Sequence, residues 1–251
     1  LADYLNILGV IRDREYDVAI TLSNRWTLEL LLWLNGIPVR IGYQTNFAWI
    51  LSNPIQLKSE QYTAYMYHDL LQGLGIRTPC PEAKITVPKQ DINWAEAQQK
   101  RLDIKEAGYI LISDNRDRDV DDAYPISQWK QIVKDIQNKQ PSVSVVLLQT
   151  SENEARTKSL LQACPNLKVI KPSDVGKLAA TIAGANLLLC TDNASMQLSV
   201  AVGTYTIALC DRIETNKLLP PNSDRYIGIR SSSGKITDIK PETVLDKIWR
   251  G

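Results

Sequence analysis

The chain has 251 residues, which allows two domains of roughly 100–150 residues each. Its 29 Lys and Arg balance 28 Asp and Glu, which argues against a nucleic-acid binder, because such proteins carry a basic excess. Cys80, Cys164, Cys190 and Cys210 form no CxxC pair and His68 is the single histidine, which argues against a zinc site, and buried free thiols in a reducing compartment are expected.

The sequence opens Leu1-Ala2-Asp3, with neither an initiator methionine nor a signal peptide, directly in a helical pattern. Residues upstream of it are therefore expected. Residues 1–14 read as an amphipathic helix with Leu5, Leu8 and Ile11 on one face. Residues 17–22 form an apolar run of the buried parallel-strand kind. Residues 25–35 predict a Leu-rich helix that Gly36 closes, followed by a strand at 39–43. Residues 44–60, with Asn, Ser and Pro, read as a long irregular loop of the kind that is often functional. A helix over 62–74 ends at Gly75, and a short strand is expected at 84–87. The polar stretch 91–103 predicts a helix inside an interdomain connection at 89–107. The division is thus 1–88, 89–107 and 108–251.

The second half alternates strictly. Strands are predicted at 109–113, 143–148, 167–170, 186–190, 205–209 and 225–229. Helices are predicted at 126–138, 152–163, 174–183, 195–202 and 241–249. Such βα alternation implies a parallel sheet with helices on both faces and right-handed crossovers. No apolar run reaches the ~18–20 residues needed to cross a membrane.

In open parallel sheets ligands bind beyond the C-terminal strand ends. Two polar loops lie there. The first, Thr191-Asp192-Asn193-Ala194-Ser195-Met196-Gln197, joins a strand to a helix of small residues and offers unpaired N–H groups to an anion. It is equally compatible with an ordinary capped turn. The second, residues 113–124, carries Arg116 and Arg118, which suit a bidentate phosphate clamp. Its acids, Asp114, Asp117, Asp119, Asp121 and Asp122, oppose that and read either as solvated or as ligands to a divalent cation. Ser113, Asn115 and Thr150 complete the expected ligand-facing set. Neither G-x-G-x-x-G nor G-x-x-x-x-G-K-[ST] occurs. His68, inside a helix, reads as packing or surface. Trp26, Trp33 and Trp49 read as mostly core, with Trp49 in the long loop placed to line an acceptor groove.

Several segments together resemble glycosyltransferase family 9, the lipopolysaccharide heptosyltransferase family. Residues 178–187 followed by 191–203 resemble its l-a-a-l-i-a-x-A…D-[TS]-G-x-x-H-l-A-x-A-x-G stretch, with Asp192, Met196, Leu198, Ala201 and Gly203 matching. Pro125 and Trp129 fit its W-P-x-x-x-[FW], with Tyr124 in the Trp place. Tyr16-Asp17-Val18-Ala19-Ile20, Val39-Arg40-Ile41-Gly42-Tyr43 and Leu70-Leu71…Leu74-Gly75-Ile76 resemble three further signatures in the same order. The resemblance implies a GT-B α/β architecture of two Rossmann-like domains, the N-terminal one incomplete, with the final helix packing back towards the first domain. It implies inverting, metal-independent transfer of a sugar from a nucleotide donor on the C-terminal domain to a saccharide or lipid-linked acceptor. No cofactor is implied beyond that donor substrate. A cytoplasmic location, with room for peripheral contact at the inner face of the membrane, goes with it; oligomeric state is left open. Three residues depart from the pattern: Asn193, Ala194 and Gln197 stand where the family has Thr or Ser, Gly and His. Asp122 stands where it has a basic phosphate ligand, and its L-G-D motif has no match, so no catalytic base is assigned. These departures define the alternative, a catalytically degenerate nucleotide-binding or regulatory relative.

Overall fold

The computed structural model describes residues 2–114, 123–211, 214–221 and 223–250. The chain divides into two compact units, Leu1–Pro81 and Glu82–Gly251.

The first unit runs α1 (Ala2–Arg12), β1 (Val18–Ile20), α2 (Trp26–Leu34), β2 (Val39–Tyr43), β3 (Asn53–Ile55) and α3 (Thr63–Asp69), followed by a 3₁₀ turn at Leu70–Leu74. Its strands form a parallel sheet in the order β1-β2-β3. Ile41, Tyr43 and Leu70 are its buried centre, and the Tyr43 hydroxyl donates to the Met66 carbonyl at 3.0 Å. β3 lies inside the stretch read as irregular. Pro54 hides it from a sequence pattern, yet an edge strand tolerates proline because one side of it makes no ladder bonds. The tryptophans expected in the core are exposed: Trp26, Trp33 and Trp49 keep 46, 47 and 72% of their surface. A sheet of three short strands offers too little interior for them.

The second unit runs α4 (Lys89–Arg101), β4 (Tyr109–Ser113), α5 (Ile126–Lys139), β5 (Ser144–Leu148), α6 (Glu154–Ala163), β6 (Lys168–Ile170), α7 (Val175–Ala183), β7 (Leu187–Thr191), α8 (Ala194–Val202), β8 (Thr206–Cys210), α9 (Thr215–Leu218), β9 (Tyr226–Arg230) and α10 (Pro241–Arg250). Its six strands are all parallel, in the order β6-β5-β4-β7-β8-β9. Strands β4, β5 and β8 are buried along their whole length, as their continuous Ile, Leu and Val content requires when helices cover both faces. Alternate residues feed two cores. Ile110 and Ile112 meet Trp129, Ile132 and Ile136 of α5, whereas Tyr109 and Leu111 meet Ile182, Met196 and Val200 of α7 and α8.

Residues 89–107 are not a free connection. They hold α4, which belongs to the second unit and packs on α7. Asp91 and Ala95 are buried there, and Trp94 adds to the second core. The helix looks polar in sequence because only a narrow stripe of it is covered. The contact is close: a Cβ on Gly176 would stand 2.4 Å from the Asp91 carboxylate. Residues 84–87 make no strand. Ile85 instead donates its N–H to the Ala201 carbonyl at the end of α8, at 2.8 Å. The final helix α10 lies against α5 of its own unit, where the Trp249 indole donates to Asp135 at 2.8 Å. All four cysteines are free, and Cys164, Cys190 and Cys210 are buried. Among the described residues no helix is long and apolar enough to cross a membrane.

Candidate nucleotide site at the switch point of the larger sheet

From β4 the chain steps outward to β5 and β6, then returns to β7 on the other flank of β4 and continues to β8 and β9. The loops leaving β4 and β7 therefore diverge, which opens a crevice beyond Ser113 and Thr191. Both residues are fully buried strand ends, paired in register through Ser113 and Cys190.

Asn193 organises the crevice. It is the N-cap of α8, with extended backbone, and its Oδ1 accepts from the Ser195 N–H at 2.8 Å. Its Nδ2 donates to the Ser113 carbonyl at 3.2 Å, while the Ser113 hydroxyl donates to Ser195 Oγ at 3.0 Å. These bonds tie the start of α8 to the end of β4. Of the residues expected to face a ligand, Ser113, Asn193 and Ser195 are thus brought together, but their side chains bind one another and frame the site. Met196 points down into the second core. Ala194 and Gln197 are exposed on the outer side of the first turn, and the Gln197 amide donates to the Leu218 carbonyl at 2.9 Å. Asp192 is half-buried. Gly203, with φ of 78°, terminates α8 in the left-handed conformation that glycine adopts without strain. Thr150, past the end of β5, donates its N–H to Asn153 Oδ1 at 2.8 Å, and its buried hydroxyl has no protein partner.

Asp114 is not a solvated loop acid. Its side chain is buried and forms an ion pair with Arg156 of α6, and the Trp129 indole donates to the same carboxylate oxygen at 3.0 Å. The Arg156 guanidinium also donates to the Tyr124 carbonyl. Tyr124 and Trp129 meet edge to face with centroids 5.0 Å apart. This assembly fixes both ends of the loop that leaves β4. Arg156 carries no local signal in the sequence, since its partner lies 42 positions away. Asn115, Arg116, Arg118 and Asp122 lie outside the described residues. Among the described residues no group of three or more His, Cys, Asp or Glu side chains is placed to hold a metal ion.

The smaller sheet has an unusual polar group at its own C-terminal edge. Glu29, in the first turn of α2, is 0% exposed. Burial pushes the carboxyl above its ordinary value of 4.5, with the Thr45 hydroxyl beside it opposing the rise. A raised folded-state value means that the group favours folding fully only below about pH 4.5, and that this contribution is lost as pH rises through the folded value. Glu29→Gln, which removes the buried charge, is expected to stabilise the protein at pH 7.5 and to change nothing near pH 4. Urea denaturation at the two pH values measures this; equal stability at both would show that Glu29 is not held as described.

The sequence matches the profile of glycosyltransferase family 9 (heptosyltransferase) over residues 6–248. No curated protein matches it by sequence search. Among solved structures, it is similar to a family 9 glycosyltransferase from Veillonella parvula, with a TM-score of 0.81 at 15% identity, over 100% of this chain and 79% of that one. It is similar to E. coli ADP-heptose LPS heptosyltransferase II, with a TM-score of 0.73 at 16% identity, over 99% and 80%. It is also similar to the E. coli heptosyltransferase WaaC with ADP-2-deoxy-2-fluoro heptose, with a TM-score of 0.72 at 16% identity, over 99% and 76%. These likenesses give the fold: parallel α/β sheets flanked by helices, of the GT-B glycosyltransferase type. With the profile match spanning nearly its whole length, the chain belongs to glycosyltransferase family 9.

Proposed function

We propose that this protein transfers a sugar from a nucleoside-diphosphate donor, held on the second unit, to a saccharide or lipid-linked acceptor, with inversion and without a metal. The observation that carries the reading is the crevice at the switch point. It is bounded by the N-terminus of α8, and the frame around it is already satisfied by Ser113, Asn193 and Ser195. A helix N-terminus there offers N–H groups and a partial positive charge to a departing diphosphate. The nucleotide in a related solved structure, the E. coli WaaC complex, is ADP-linked. The Ala194 and Asn193 backbone and the Thr150 hydroxyl are the groups assigned to the phosphates. Acceptor deprotonation needs a carboxylate general base, which is not assigned.

Thermal-shift measurements with ADP, GDP, UDP and their sugars test donor binding. Ligand at ~100 times its dissociation constant adds roughly 2.7 kcal/mol of stability. The shift is expected to survive EDTA; its loss on chelation would refute the metal-independent reading. A second reading, a relative that binds the nucleotide without turnover, is favoured by Ala194 and Gln197 in place of the family's Gly and His. Isotope exchange from a labelled nucleotide sugar decides between the two.

A further inference from the structure

We propose that Arg156 of α6 is a positioning residue for the nucleotide crevice, acting through Asp114 and Ser113 on the N-terminus of α8; this rests on the donor-binding reading above. Arg156 stands in the first turn of α6, and that turn is itself pinned to the sheet. Asn153, the residue before the helix, is buried, and its Nδ2 donates to the Leu148 carbonyl at the end of β5 at 2.9 Å. From this anchored base the guanidinium reaches over the end of β4. It pairs with the buried Asp114 carboxylate and donates to the Tyr124 carbonyl. One planar group thus fixes both the residue where the chain leaves β4 and the residue where it returns towards α5.

Asp114 is joined by a single peptide bond to Ser113, and Ser113 holds the start of α8. Its carbonyl accepts from Asn193 Nδ2 at 3.2 Å, and its hydroxyl donates to Ser195 Oγ at 3.0 Å. Ser113, Asp114, Tyr124, Trp129 and Ser195 are each at most 2% exposed, so the path from the guanidinium to the helix start runs through the interior. Close-packed surroundings transmit a displacement there, whereas a solvated path would absorb it. The direction of the N–H groups at the helix start decides how well they meet a diphosphate, because a hydrogen bond weakens steeply as its angle closes. A shift of the Ser113 peptide is therefore felt at the donor site, even though the guanidinium itself is spent on Asp114 and Tyr124.

The test is calorimetric titration of the whole chain with ADP, GDP and UDP, at a temperature where circular dichroism shows every variant folded. Arg156→Lys keeps the charge but not the fork, and Trp129→Phe removes the indole N–H from Asp114 while keeping a ring. Arg156→Lys is expected to weaken the best-bound nucleotide about tenfold, within the coupling range of one hydrogen-bond network, and Trp129→Phe by a smaller factor. Ile136→Val is the control. It removes a buried methyl group from the end of α5 away from the crevice, and is expected to lower stability while leaving nucleotide affinity unchanged. Ser113→Ala combined with Arg156→Lys is expected to weaken binding by less than the product of the single effects, because both act through one strand end. Parent-like affinity in Arg156→Lys would overturn the proposal and leave the pair with a purely structural role. A matching loss of affinity in Ile136→Val would overturn it as well, since any loss of stability would then suffice. If the parent binds none of the three nucleotides, the donor reading fails first and the proposal falls with it.

Discussion

Replacing Arg156 by alanine is expected to destabilise the protein by about 3–5 kcal/mol, the cost of removing one partner from a buried ion pair. The Asp114 side chain it would abandon is fully buried, and Arg156 itself is largely covered. The Trp129 N–H, which bonds the same carboxylate oxygen, is a neutral donor. The loss reaches further than the pair. The same guanidinium holds the Tyr124 carbonyl, and the Tyr124 ring packs edge to face on Trp129 at the centre of the first core. Arg156→Lys is expected to recover only part of the stability, because an ammonium cannot reach both the carboxylate and the carbonyl as the planar fork does. Asp114→Ala added to Arg156→Ala is expected to cost less than the sum of the single changes, since both changes remove the same ion pair. Urea unfolding of the four proteins gives the cycle. A single-variant loss below about 1 kcal/mol, the level of an exposed pair, would show that the assembly does not hold the loop.

Calorimetric titration of Arg116→Ala or Arg118→Ala with the best-bound nucleotide is expected to show binding weakened by about 1.5–3 kcal/mol, the range for hydrogen bonds to charged groups. A diphosphate carries two or more negative charges, and a helix N-terminus balances only about half of one. The position that is basic in the family is Asp122 here, and the position of its histidine is Gln197, a neutral side chain bonded to Leu218. Arg156, which the structure pairs with Asp114 just past the end of β4, is committed to that carboxylate. The two arginines of the loop leaving Asp114 are then the nearest along the chain to supply the missing charge. Arg→Lys at either position is expected to restore only part of the binding, because bidentate geometry is lost. If both alanine variants bind as the parent does, the loop does not hold the phosphate. Lys171, just beyond the end of β6, would be the next cation to replace.

The sequence alone determined the parallel α/β character of the second unit and the turn that bounds the crevice beyond Ser113 and Thr191. Uninterrupted apolar runs such as 109–113 are legible because a strand covered on both faces has no solvated side to alternate with. The turn at 191–195 is legible because capping is local: Asn193 reaches a backbone N–H two residues away. Family membership was likewise readable, as a set of weak motifs in a fixed order. Tertiary structure alone decided the rest. Edge strand β3 carries Pro54 and exists because β2 offers it a partner, which no local pattern records. Helix α4 reads as a linker because its burial comes from α7, an element some eighty residues further on. The same holds for charge. Asp114 looks like the first of a run of solvated acids until the fold brings Arg156 to it, and burial of Glu29 within the Leu-rich helix α2 shows only once the fold brings Thr45 to it. Hydrophobic periodicity reports which side of an element is covered, whereas the partner of a buried charge is set by which distant element does the covering.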